Sequence, residues 1–330
     1  MTLSRIALFI FLTNGREIEE EMPKYFFYSY NFEVKKVLEE VIKEEYLCYS
    51  NYEENMTFYT NKDLKEILKE NKLSQNGNKK DLIERLIENV DKDILIKKFS
   101  KSHYVLTEKG KKLLESKNYI KDYHNLYQKV LGINLKIVEQ KMELLNCDIY
   151  KAFEEILKEK IIIEKKENNW DIIKSLYRKL GILYKENYNF KEAFNSLLKC
   201  FYLEFTGMQN GCYNEEIYFY ESLSKELLEL KLNLEYEIED IKKGFFPLVE
   251  TLNVPIQRFT NKEIFNFFIL SMEEKYREIE EIIKIDNPTI IILESENKIN
   301  IYDEIKNVKK ENKKNELFLN KTINFLKNLF

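Results

Sequence analysis

Residues 60–90 read TNKDLKEILKENKLSQNGNKKDLIERLIENV, two amphipathic segments separated by a polar link. Apolar residues recur at helical spacing in both segments: Leu64, Ile67 and Leu68 in the first, Leu82, Ile83, Leu86, Ile87 and Val90 in the second. Thr60, with Asp63 three positions on, has the pattern of a helix N-cap, and Asn78 can cap the second segment. Gly77 can adopt the positive φ of a sharp turn. The stretch therefore predicts two short helices joined by an extended link that ends in Gly77 and tucks Leu73 into the core.

Two lysines, Lys79 and Lys80, lie where the second helix begins, at the end whose dipole disfavours cations. Free backbone N–H groups at a helix start bind anions, so a phosphate there would make the position of the lysines favourable. Both lysines are therefore predicted phosphate contacts. Two interpretations of Arg85 stay open, a phosphate contact or a surface ion pair with Asp81 one turn before it.

The whole pattern resembles the SAP motif, a helix–extension–helix DNA-binding module, over residues 58–92. The family's pattern has a leucine pair on the first helix, a leucine in the link, and then G-x-K-x-x-L-x-x-R-L. The resemblance implies binding of double-stranded DNA, often AT-rich, through the link and the start of the second helix. Residues that match the pattern are Leu64, Leu68, Leu73, Gly77, Lys79, Leu82, Arg85 and Leu86.

Charge in this stretch is nearly balanced, with seven basic and six acidic residues from Thr60 to Val90. Phosphate binding depends on positive charge, so neighbouring segments contribute or the affinity is modest. The segment 97–115, KKFSKSHYVLTEKGKKLLE, has six lysines against two glutamates, and its end resembles the strand, turn and helix of winged-helix domains. A solvated helix face explains these lysines equally well. The predicted DNA-binding residues are Ser74, Asn76, Gly77, Asn78, Lys79, Lys80, Arg85, Lys109, Lys111 and Lys112.

Composition predicts a mainly α fold. The chain has only eight glycines and four prolines and is 33% charged, and this scarcity of helix-breaking residues favours long helices. A helix is expected at 31–45, followed by LCYS and MTFY paired as a hairpin, and helices near 123–145, 148–166, 170–187, 190–205, 214–232, 235–252 and 261–285. A second hairpin is expected at 289–302. The predicted organisation is an extension at 1–21, a small α-rich domain with minor β structure at 22–118, a helical bundle or repeat-like domain at 119–285, and a hairpin with a basic tail at 286–330.

Within residues 174–205, the sequence resembles one tetratricopeptide-type helical hairpin. Residues at that pattern's spacing are Leu180, Gly181, Tyr184, Phe190, Ala193 and Cys200. No second copy is evident, and a lone repeat cannot bury both of its faces, so two core helices of an ordinary bundle are the competing interpretation. A groove built from such repeats would bind a protein partner or a second copy of the chain.

Four scattered cysteines form no CxxC pair and the two histidines have no cysteine neighbour, so we expect reduced thiols in the cytoplasm, no metal and no cofactor. The apolar run Ile6–Leu12 is too short to span a bilayer, and no membrane association is expected. One hypothesis is that Met22 is the true start and that residues 1–21 are a wrongly assigned extension.

No nucleotide-binding loop or catalytic Cys/His pattern is present, and the chain is predicted not to be an enzyme. The preferred hypothesis is a duplex DNA-binding protein with a helical C-terminal interaction domain. This arrangement resembles that of SAP proteins of phages and prophages. One alternative is a protein-interaction or structural component in which the SAP-like motif is only a folding element. Another is a metal-dependent nuclease that uses Asp286, Glu296 and Lys298.

Overall fold

The computed structural model of the protein describes residues 1–210, 212, 217, 219–285 and 291–292. The fold is mainly α, as predicted, with little β structure among these residues. Contacts divide the chain into two compact units, Met1–Asn125 and Leu126–Phe330.

The unit Met1–Asn125 contains short helices around a two-stranded sheet. Its elements are α1 (Leu3–Thr13), α2 (Tyr25–Tyr28), α3 (Val34–Lys43), β1 (Leu47–Tyr49), α4 (Tyr52–Met56), α5 (Asn61–Glu70), α6 (Lys79–Asn89), α7 (Lys92–Lys98), β2 (Tyr104–Leu106), α8 (Glu108–Ser116) and α9 (Ile120–Leu126), the last of which ends at the boundary.

Helix α1 contains the apolar run that the sequence singled out. Thr2 caps it through its side chain, and most of its apolar side chains are buried. The Phe9 ring is fully buried and meets Phe26 and Phe32 edge to face, with centroids 5.7 Å and 5.2 Å away. Residues of α1 therefore belong to the hydrophobic core of this unit. Across the described residues, no helix combines the length and apolar character that a membrane crossing needs.

The predicted pairing of LCYS with MTFY is wrong. Strand β1 instead pairs antiparallel with β2, with Leu47 opposite Leu106. The cause is a capping box at Asn51 and Glu54, which starts helix α4 between the two runs and places Met56 in that helix with its side chain fully buried. The helix cap and the burial of Met56 therefore outweigh the local β propensity of the MTFY run.

The unit Leu126–Phe330 is a succession of helices. After a π-helical turn at Tyr127–Leu131 come α10 (Leu135–Leu145), α11 (Ile149–Lys166), α12 (Trp170–Glu186), α13 (Phe190–Glu204), α14 (Glu221–Asn233), α15 (Ile238–Glu250), β3 (Ile256–Gln257), α16 (Asn261–Met272), α17 (Tyr276–Ile285) and β4 (Ile291–Ile292).

Two predicted helices are each divided in the structure. The helix expected at 123–145 is interrupted after the π-helical turn, where Gly132 is left-handed with φ +75°. The helix expected at 261–285 is interrupted between α16 and α17, where Glu274 has φ +57°. Neither conformation continues an α-helix, so each long apolar pattern covers two separate elements.

Helices α12 and α13 form the hairpin that the sequence predicted at 174–205. Gly181 lies so close to α13 that a Cβ there would overlap the Leu197 side chain. Gly181 has an ordinary helical conformation, so glycine is needed here because no space is left for a side chain and not because of the backbone angles. Leu180, Ala193 and Cys200 are buried in the same packing. The likeness to a tetratricopeptide repeat stays a prediction.

Most of the predicted hairpin at 289–302 lies outside the described residues, as do Asp286, Glu296 and Lys298 of the nuclease hypothesis. The described part, β4, pairs antiparallel with β3, with Ile292 opposite Ile256.

Candidate nucleic-acid interface

Helices α5 and α6 share one hydrophobic core that short flanking helices complete. Leu64 and Leu68 of α5 and Leu82 and Leu86 of α6 are fully buried. Leu73, in the link, is partly buried against the same core, as predicted from sequence. Buried residues of the flanking segments close the cluster: Met56, Val90, Leu95 and Phe99. The two-helix motif is therefore stabilised by α4 and α7 in addition to its own leucines.

Capping boxes fix the start of both helices. The Thr60 side chain accepts from the Asp63 N–H at 3.3 Å, and the Asp63 carboxylate accepts from the Thr60 N–H at 2.9 Å. The Thr60 hydroxyl also donates to Asp63 Oδ2 at 2.7 Å, and this bond together with that from the Thr60 N–H lowers the pKa of Asp63. Asn78 and Asp81 repeat the arrangement at α6, where the Asn78 N–H donates to Asp81 Oδ2 at 2.9 Å.

Gly77 turns the chain into α6. Its φ is +121°, outside the range that L side chains adopt readily, and a Cβ there would lie 2.7 Å from Asp81 Oδ2 and 2.8 Å from Asp81 Cβ. Only glycine lets the link pass this close to the capping carboxylate. The turn and the helix cap are therefore one local arrangement.

The link is exposed and is fastened from both sides. Residues 74–78 are exposed, whereas the Leu73 N–H donates to the Leu68 carbonyl at 2.8 Å. Arg85 reaches back from α6, and its Nη1 donates to the carbonyls of Ser74 and Asn76, each at 2.8 Å. Arg85 thus holds the link in place, and the alternative ion pair with Asp81 is not formed.

The two lysines at the start of α6 differ in their surroundings. Lys79 Nζ donates to the Thr57 carbonyl at 2.6 Å, which ties α6 to the turn after α4. Lys80 extends into solvent with 83% of its side chain exposed, and its Nζ lies 3.7 Å from Glu84 Oε1. The Asp81 carboxylate supplies negative charge beside both lysines at the helix start, which offsets the unfavourable dipole. Lys80 is the more accessible of the two cations.

The lysines of α8 belong to a different packing group. Helix α8 packs against α1 and β2, whereas α6 packs against α4, α5 and α7. Lys109 donates to the Glu44 carbonyl at 2.6 Å and lies over the Tyr46 ring at 4.3 Å, and Lys111 is paired with Glu108 at 2.7 Å. Much of the positive charge that the sequence predicted there is compensated locally.

Two features of the site were not deduced from sequence. One is the Thr57 carbonyl as the partner of Lys79, for which the sequence carries no signal. The other is the capping role of Asp81, which the repeated three-residue spacing from Thr60 to Asp63 and from Asn78 to Asp81 could have indicated.

Comparison with known families supports this description of the site. Residues 59–91 match the family model of the SAP domain, which confirms the predicted motif over about a tenth of the chain. SAP domains are DNA-binding modules without enzymatic activity of their own, so a nucleic-acid-binding role in general is supported. No curated protein and no solved structure matches the chain. The resemblance to phage and prophage proteins stays a prediction.

Proposed function

We propose that the protein binds double-stranded DNA through the link and the first turn of α6, and that this binding is not coupled to catalysis. The supporting observation is the SAP match at 59–91 together with an exposed link that ends beside Lys79 and Lys80. Backbone N–H groups of a helix start and two ammonium groups at the same place suit a phosphate of the DNA backbone.

Each predicted residue has a role in this proposal. Lys80 contacts a phosphate directly, and Lys79 exchanges the Thr57 carbonyl for a phosphate oxygen. Ser74, Asn76 and Asn78 offer neutral hydrogen-bonding groups on the exposed link. Gly77 and Arg85 act as positioning residues, because they shape and fasten that link.

The lysines of α8 make a smaller contribution in this proposal. Lys109 and Lys111 already have acidic partners, so DNA gains little charge from them. Lys112 has no ion pair within the described part of the chain and is the stronger candidate of this group.

Fluorescence anisotropy of a labelled duplex, titrated with the full chain at several salt concentrations, tests the proposal. Lys80→Gln should weaken binding and reduce the magnitude of the salt slope by about 1, the value for one lost phosphate contact. Lys36→Gln is the matched control, because Lys36 is 75% exposed and sits 3.9 Å from Glu33 in a comparable helical pair. Equal binding by Lys80→Gln and the wild type would remove Lys80 from the interface.

One further variant and one comparison of duplexes extend this test. Arg85→Lys keeps the charge but cannot hold both carbonyls in one plane, so it should weaken binding while leaving the salt slope unchanged. AT-rich and GC-rich duplexes of equal length compare the preference that the SAP resemblance implies. If no duplex binds at low salt, the motif is only a folding element and the chain acts through protein partners. Light scattering then measures self-association.

A further inference from the structure

A cavity of about 190 Å³ lies in the unit Leu126–Phe330, between the start of α12 and the end of α13. Tyr220, which belongs to its lining, is 58% exposed, whereas Leu203 on the same lining is buried. The cavity therefore leads from the surface towards the core, and its volume suits a small organic molecule, since about 150 Å³ holds benzene. Its other side chains are both apolar and charged: Met208 and Ile217 among the former, and Asp171, Lys174 and Glu204 among the latter.

Glu204 contributes a carboxylate oxygen without a partner to this cavity. Its Oε2 is buried and has no hydrogen-bond partner in the described part of the chain. Glu204 is also the last residue of α13, where the negative end of the helix dipole disfavours a further negative charge. Burial raises the pKa of Glu204 to about 8, and burial also raises the pKa of Cys200, one turn earlier, so that thiol stays neutral. An ionised carboxylate at this position needs a cation beside it.

The basic groups near Glu204 are engaged with other carboxylates. Lys174 and Arg178 of α12 favour the charged form of Glu204. However, Lys174 Nζ lies 3.4 Å from Asp171 Oδ1, and Arg178 Nη2 lies 2.5 Å from Glu226 Oε1 on α14. Among the residues that the structure describes, no ion pair joins either of these cations to Glu204. The protein therefore leaves the Glu204 carboxylate without a direct positive partner.

The lining of the cavity suits an organic cation. An ammonium group has three hydrogen-bond donors and a positive charge, and the negative end of α13 favours such a group. A metal ion fits less well, because Mg²⁺ and Ca²⁺ take about six or more oxygen ligands, and the described residues contain no group of three side chains able to hold a metal. The apolar walls favour a ligand with carbon atoms that they can contact.

We propose that this cavity binds a small organic compound through a primary ammonium group, which donates to the Glu204 carboxylate. The apolar walls contact the carbon chain of the compound, and Asp171 adds negative charge on the same lining. The compound is either a simple alkylamine or an α-amino acid, whose own carboxylate would face Lys174. The cavity belongs to the unit Leu126–Phe330 and the SAP motif to Met1–Asn125, so the proposal does not depend on DNA binding.

Titration calorimetry of the full chain with n-butylamine at about pH 7 tests the ammonium contact, and 1-butanol is the neutral probe of equal length. Glu204→Gln should bind butylamine roughly tenfold or more weakly, because a charged hydrogen bond is lost. This variant should keep the wild-type circular dichroism spectrum at about pH 5, where the wild-type carboxyl group is itself neutral. The matched control is Glu192→Gln, on the same helix but outside the lining, which should keep the wild-type affinity.

Proton release gives a second measurement, on the wild type alone. Butylamine binds as its ammonium ion and needs an ionised Glu204, so the carboxyl proton passes to the buffer on binding. Calorimetry at about pH 6.5, in two buffers with different heats of ionisation, should show close to one proton released per amine bound. The affinity should rise about tenfold per pH unit below about pH 8 and level off above it, until the amine loses its own proton near about pH 10.

Any of three results would overturn the proposal: a wild-type chain that binds butylamine no better than 1-butanol, binding that releases no proton, or a folded Glu204→Gln that retains the wild-type affinity. If Glu204→Gln does not fold, the proton release of the wild type decides. L-Valine in place of butylamine identifies the source of the ammonium group. Tighter binding of valine that is lost in Lys174→Gln indicates an amino acid, and butylamine that binds at least as tightly as valine indicates a simple amine.

Discussion

Replacing Gly77 with alanine should destabilise the start of α6 by an amount that the structure allows us to estimate. At φ +121° a non-glycine residue is strained by about 1–3 kcal/mol. The new Cβ would lie 2.7 Å from Asp81 Oδ2, so the carboxylate must move and release the Asn78 N–H, which costs about 1 kcal/mol more. The expected total is roughly 2–4 kcal/mol, confined to α6 and the link.

Hydrogen exchange of the full chain, followed by mass spectrometry of peptides from α5 and α6, measures this local loss. Gly132→Ala is the control, because Gly132 also has positive φ (+75°) but has no atom within 4 Å of an added Cβ. That variant should lose only the backbone contribution in its own segment. In the double variant Gly77→Ala/Asp81→Ala the carboxylate is already absent, so the cost of displacing it is not incurred twice and the effects of the single variants should not add, while the backbone strain and the contact with Cβ of residue 81, 2.8 Å away, remain.

A loss at α6 below about 1 kcal/mol in Gly77→Ala would refute the reasoning, because strain and cap loss together exceed that value. Additive effects of Gly77→Ala and Asp81→Ala would also contradict it, since they would mean that the added methyl group never meets the carboxylate. Duplex affinity of Gly77→Ala should fall together with protection of the link, because the same residues shape the proposed interface.

Two further predictions concern the cores of the two units. Phe9→Ala should lower the free energy of unfolding of Met1–Asn125 by about 3–5 kcal/mol, because it empties the space between Phe26 and Phe32. A chain started at Met22 should lose at least as much by calorimetry, and an unchanged melting transition would mean that α1 does not stabilise this core. In the other unit, burial raises the pKa of Glu204 to about 8. The folded chain then holds a proton there that the unfolded chain releases, so stability should fall, on the order of 3 kcal/mol, as pH rises from about 5 to 8. Glu204→Gln should flatten this dependence in urea unfolding at the two pH values, and an equal fall in both proteins would exclude Glu204 as its source.

Local information accounts for the part of the fold that the sequence predicted well. Thr60, Gly77 and Asn78 act within a few residues of themselves, and the leucine spacing of α5 and α6 marks the buried faces directly. The same kind of reasoning was wrong for LCYS and MTFY, because the choice of partner for β1 depends on β2, more than fifty residues away.

By itself, the sequence determined the mainly α fold, the SAP motif and the position of Lys79 and Lys80 at a helix start. These follow from caps, periodicity and glycine, which are properties of neighbouring residues. Tertiary structure alone decided that Lys79 is held by the Thr57 carbonyl, that Arg85 fastens the link, and that β1 pairs with β2. The partner of each charged side chain depends on how segments distant in sequence pack together, and helical periodicity does not specify that packing.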